Sequence, residues 1–127
     1  MNISALYLWL AGITTSGFGM VYLIRSRAMA RMVGIEIPSA AARADYRAIY
    51  GGAQITIGVF FCLAALKRDW REPGLAAVAL FALGFGVTRL VSLGYERAGR
   101  DIQWIVGTLE VIAGIVGGVL MMLTGGT

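Results

Sequence analysis

Residues 102 to 123 read IQWIVGTLEVIAGIVGGVLMML, an apolar run broken by one carboxylate, Glu110, about two helical turns from its start. A run of this length crosses the hydrocarbon of a bilayer, which takes roughly 20 apolar residues. An ionisable group inside such a run is costly and marks a candidate functional site. The rest of the chain then reads as the scaffold that makes Glu110 tolerable.

Composition supports this. The 127 residues are 58% hydrophobic with a mean hydropathy of +0.76, outside the range of soluble domains. Only 14% are charged, and they gather at the boundaries of apolar runs instead of being spread along the chain. The net charge of +4 and pI near 9.7 therefore speak for membrane orientation and contact with lipid phosphates, not for nucleic acid. The chain has no histidine, which removes His-ligated haem and His-rich metal sites, and neither a metal nor a cofactor is expected. Its single cysteine, Cys62, lies within an apolar run and cannot form an intrachain disulfide.

Working outward, four spans are predicted, at about 3–24, 46–66, 75–95 and 102–123. The expected fold class is all-α, a polytopic transmembrane four-helix bundle forming one domain. The first span lacks a preceding basic residue and is too long for a signal-peptide core, so a retained helix is expected. Residues 25–38 alternate Arg25, Arg27 and Arg31 with Met29, Met32, Val33 and Ile35, the pattern of a segment lying at the interface or of a solvated loop. Pro38 ends that segment, and Ser39 is the predicted N-cap of the next helix. Lys67 to Pro73 reads as a tight polar connection, and the short link after Tyr95 makes spans three and four antiparallel neighbours. Tyr7, Trp9, Trp70, Tyr95 and Trp104 fall near span ends and read as interfacial anchors.

Loops one and three carry Arg25, Arg27, Arg31, Arg43, Arg47, Arg97 and Arg100, whereas loop two carries Lys67, Arg68 and Arg71. The positive-inside rule then places loops one and three in the cytoplasm and both termini outside.

The spans also echo one another. Ile49, Gly51, Gln54 and Gly58 in span two share their spacing with Ile105, Gly107, Glu110 and Gly114 in span four. Gly17, Gly19, Tyr22 and Leu23 in span one share theirs with Gly84, Gly86, Arg89 and Leu90 in span three. Two tandem helical hairpins related by a pseudo-two-fold along the membrane normal would produce this pattern. With 18 glycines in the chain, chance matching competes with duplication. Gly51, Gly58, Gly107 and Gly114 are the candidate helix-packing residues, since small side chains let membrane helices approach closely.

Arg89 lies about 9 Å from the loop-three end of its span and Glu110 about 12 Å from the same end of the next, so the two can meet. Helical spacing also puts Arg47, Tyr50 and Gln54 on one face. Arg47, Tyr50, Gln54, Arg89 and Glu110 together form the candidate ligand-binding site, an inner-leaflet polar pocket. Two readings compete with it: Arg89 and Glu110 as a purely structural lock, and Arg89 snorkelling to the headgroups.

At these residues the chain resembles domain-of-unknown-function family 4345, small four-helix bacterial membrane proteins. The resemblance rests on Arg47, Tyr50, Gly51, Gly52 and Gln54 opening span two, on Gly58, Phe60 and Phe61 after them, and on Thr88, Arg89, Leu90 and Glu110. It implies a multi-pass protein of the bacterial inner membrane and supplies no activity. The layout is more distantly similar to DoxX-like four-helix proteins, which hints at a redox-associated membrane partner by analogy alone.

The function expected is non-enzymatic: the pocket binds a small amphiphile or lipid headgroup. The alternative is an accessory subunit docked on a membrane-protein partner or on further copies of itself. No nucleophile–base pair or metal-ligand spacing is visible, and acid–base work by Glu110 would be the only chemistry left to an enzyme.

Overall fold

Asn2 begins the described part of the chain by accepting a hydrogen bond from the Ala5 amide at 2.9 Å, capping the first helix. The structure is a computed structural model that describes residues 2–97 and 99–125. Helix is the one regular element in them, with no strand among the described residues. Helix α1 covers Ile3–Ile24 and a short α2 covers Ser26–Met32. Next, α3 (Ala40–Tyr46), a π-helical turn (Arg47–Gly52) and α4 (Ala53–Leu66) run on as one rod. A 3-10 turn (Arg68–Trp70) leads into α5 (Arg71–Glu96), and α6 (Asp101–Gly125) closes the order.

Four of these rods are long and apolar enough to cross a membrane: Ile3–Ile24, Ala40–Leu66, Arg68–Glu96 and Asp101–Gly125. Leu80, Met122, Leu123 and Val91 stand largely exposed on their flanks, as expected when the surrounding solvent is hydrocarbon. The molecule is a multi-pass membrane helical bundle.

At two boundaries the helices reach beyond the apolar spans. The third rod is helical from Arg71, not from about residue 75, with Pro73 and Gly74 inside its first turn. Proline is tolerated there because an amide in the first turn has no intrahelical acceptor to lose. The second rod begins at Ala40, where the Ser39 hydroxyl accepts the Ala42 amide at 3.1 Å, the predicted N-cap. Residues 25–38 hold α2 and then a turn at Gly34, whose φ of +80° suits glycine.

The rods pair as hairpins, α1 with the α3–α4 rod and α5 with α6, and contact within each hairpin far exceeds contact between them. Lipid tails are as apolar as leucine, so close backbone approach must hold such pairs together. A Cβ on Gly58 would fall 2.6 Å from the Gly12 carbonyl oxygen and 2.7 Å from the Ser16 amide nitrogen. One on Gly114 would fall 2.8 Å from the Leu83 amide nitrogen. Gly51 packs on Leu23 as Gly107 packs on Leu90, and Gly19 meets Ile55 as Gly86 meets Val111. All four predicted packing glycines thus lie inside a hairpin.

The hairpins join at the loop-two end. Leu8, Phe61, Ala64, Ala65, Leu75, Val78 and Leu120, drawn from all four rods, form the buried core there. Ser4 and Thr124 hydrogen-bond at 3.1 Å, and the Tyr7 hydroxyl donates to the Ala113 carbonyl. Tyr7 and Trp9 pack against this core, so Tyr7 points into the bundle and not out to an interface as its position near a span end suggested.

At the opposite end the ties are polar. The Arg100 guanidinium donates to the carbonyls of Arg31 at 3.0 Å and Met32 at 3.4 Å, capping the C-terminus of α2. Gln103 accepts the Arg100 amide at 2.8 Å and donates to the Val33 carbonyl at 3.3 Å. One amide side chain therefore both caps α6 and holds loop one.

Candidate functional site

Arg89 on α5 and Glu110 on α6 form a two-point ion pair. Nε donates to Oε2 and Nη2 to Oε1, both at 3.0 Å. Glycines make this geometry reachable. Gly86 lies one turn before Arg89 and faces the Glu110 Cβ, while Gly107 lies one turn before Glu110 and faces the Arg89 Cδ. Each glycine lets the opposite helix come close enough for a short bidentate contact. The side chains are 32% and 23% exposed, so the pair is part-buried at the edge of the bundle.

A guanidinium has five N–H donors. Two are engaged by Glu110, leaving Nη1 and one hydrogen of Nη2 without a partner among the described residues. Arg89 lines a groove of about 490 Å³ along α5, together with Leu80, Phe81, Gly84, Phe85, Thr88 and Ser92. A second recess of about 380 Å³ continues from Arg89 and Ser92 to Leu93, Glu96, Gly99 and Gln103. The two share Arg89 and Ser92 and together make one trough along α5, from Leu80 and Phe81 at one end to Glu96 and Gln103 near loop three.

The other predicted residues sit on the first hairpin. Tyr50 stacks on Tyr46 at 4.5 Å between ring centroids, and Tyr22 closes the cluster at 5.7 Å from Tyr50 and 6.0 Å from Tyr46. Tyr22 and Tyr50 lie within electrostatic range of Arg89 on the other hairpin. Tyr46 is 7% exposed, and its buried hydroxyl has no hydrogen-bond partner among the described residues. Sequence spacing alone does not single out Tyr46.

Arg47 and Gln54 do not line the trough; Arg47 is exposed and Gln54 half-buried. The π-helical turn over Arg47–Gly52 interrupts the regular spacing on which a shared face for Arg47, Tyr50 and Gln54 rests. A π turn accommodates an extra residue, rotating the helix beyond it by about 100° relative to a regular one. The adjacent Gly51 and Gly52 make the backbone permissive at that point.

Residues 3–121 match the profile of a family described as Domain of unknown function (DUF4345). The chain belongs to the DUF4345 family. The match covers both hairpins, including Arg89 and Glu110. No curated protein and no solved structure matches this DUF4345 chain.

Proposed function

We propose that this DUF4345 protein is a non-enzymatic protein of the bacterial inner membrane that binds a small amphiphile or lipid headgroup at Arg89. In this reading loops one and three face the cytoplasm, so the polar end of the trough opens in the inner leaflet. The observation that carries the reading is the half-used guanidinium. Glu110 engages two of the five donors of Arg89, which lines both the groove along α5 and the recess that ends at Glu96 and Gln103. Tyr22 and Tyr50 stand on the facing hairpin, with Arg47 and Gln54 as its outlying polar groups. The parallel glycine contacts of the two hairpins favour a duplicated origin, in which Tyr22 and Gln54 are the uncharged counterparts of Arg89 and Glu110.

Gentle solubilisation followed by quantitative lipid analysis tests this. Arg89→Ala and Glu110→Gln should insert and fold while retaining less lipid than the native chain. Unchanged lipid in both variants removes the binding reading and leaves the second one. That second reading is an accessory subunit in which Arg89 and Glu110 only lock α5 to α6, favoured by the pair's lying within one hairpin. Its partner would have to dock on other surface, because Gly51, Gly58, Gly107 and Gly114 are already occupied inside the hairpins.

A further inference from the structure

The trough distinguishes among amphiphiles by charge. Along α5 toward loop three it presents Arg89, then Ser92, then Glu96, with Gln103 of α6 beside them. Among the described residues Glu96 has no ion-pair partner, and the Ser92 hydroxyl makes no hydrogen bond. Arg89 is already neutralised by Glu110, so the polar end holds one guanidinium against two carboxylates. Arg97 and Arg100 also stand at this end, exposed as Glu96 is, but neither lines the recess, and Arg100 donates to the carbonyls closing α2. A net-anionic headgroup would therefore meet no unpaired positive charge among the side chains lining this recess, and would lie beside the Glu96 carboxylate.

Resting on the amphiphile reading, we infer that the occupant is a zwitterionic aminophospholipid, its phosphate on the spare donors of Arg89 and on Ser92 and its ammonium on Glu96. The order of groups matches a lipid standing in the leaflet. Phosphate takes the deeper position and ammonium the one nearer water, about 10 Å of helix rise from Arg89 to Glu96. An acyl chain then runs toward the bilayer centre past Gly84 and Phe85. A Cβ at Gly84 would meet nothing within 4 Å, so the glycine leaves that wall open. The ammonium supplies the counter-charge Glu96 lacks, and phosphate supplies acceptors for donors that Glu110 leaves unused.

The test uses the full chain, purified in mild detergent, stripped of lipid and titrated by native mass spectrometry. The probes are palmitoyl-oleoyl phosphatidylethanolamine and phosphatidylglycerol, which share acyl chains and differ in headgroup charge. The native protein should retain the ethanolamine lipid over the glycerol lipid by roughly two- to fivefold, the worth of one part-exposed ion pair. Glu96→Gln, at an exposed helix end where folding is not at stake, should bring that ratio to about one while the ethanolamine lipid still binds saturably. Preference of the native protein for phosphatidylglycerol, or an unchanged ratio in Glu96→Gln, overturns the inference while leaving amphiphile binding intact. Absence of saturable binding for both lipids overturns the amphiphile reading itself, and this inference with it.

Discussion

Two glycines on α5, two residues apart, should respond oppositely to the same substitution. At Gly86 an added methyl would lie 2.8 Å from the Val111 amide nitrogen, 2.8 Å from Val111 Cγ2 and 2.9 Å from the Glu110 Cβ. The first of these is backbone of the partner helix and cannot rotate away, so α5 and α6 must move apart by several tenths of an ångström. Overpacking of this kind costs about 1–3 kcal/mol. It also stretches the 3.0 Å contacts of Arg89 with Glu110 one turn further on. At Gly84 the added methyl meets nothing within 4 Å, and replacing a mid-helix glycine by alanine gains about 0.5–1 kcal/mol. Gly86→Ala and Gly84→Ala should therefore differ by about 1.5–4 kcal/mol, the first below the native protein and the second at or above it. Reversible denaturation in a fixed detergent, followed by tryptophan fluorescence, measures the gap. Equal stability, or Gly84→Ala as the weaker variant, would refute the account of how α5 and α6 are held.

Three further outcomes are expected. Tyr7→Phe removes the hydroxyl that donates to the Ala113 carbonyl and should cost about 1 kcal/mol by the same denaturation, whereas Tyr95→Phe, at an 85% exposed position, should cost nothing measurable. Gln103→Ala should raise amide hydrogen exchange across residues 26–34, because it frees the Val33 carbonyl and the Arg100 amide together; exchange matching the native protein would mean that loop one is held otherwise. If the hairpins share an origin, Tyr22→Arg and Gln54→Glu should each lower the yield of inserted protein, by about 2–3 kcal/mol of insertion free energy, and the double variant should recover most of it. A double variant no better than the worse single one counts against equivalent geometry in the two hairpins.

The four rods could be read from hydropathy because a bilayer demands length and apolarity and little else. The Arg89–Glu110 contact was equally readable. A short loop sets both residues at similar depth, and helical rise does the rest. The features that escaped the sequence depended on packing between segments. The π turn at Arg47–Gly52 has no periodic signature, since two glycines only permit it and the tyrosine cluster and Leu23 pack against it, yet it breaks the regular spacing between Arg47 and Gln54. Tyr7 sits near a span end, where tyrosine commonly anchors to headgroups, and only the meeting of α1 with α6 turns it inward. Glu96 reads as an ordinary charge at a helix terminus until the trough on α5 brings it into line with Arg89.

Both charges set deep in the apolar rods belong to the same hairpin and are joined to each other. The second hairpin therefore enters the bilayer as an electrically balanced body, without waiting for a counter-ion from the segment synthesised before it. The first hairpin carries no ionised group at that depth, only Tyr22 and Gln54. Either half can be released laterally into lipid on its own, and assembly of the whole reduces to the meeting of two finished pieces.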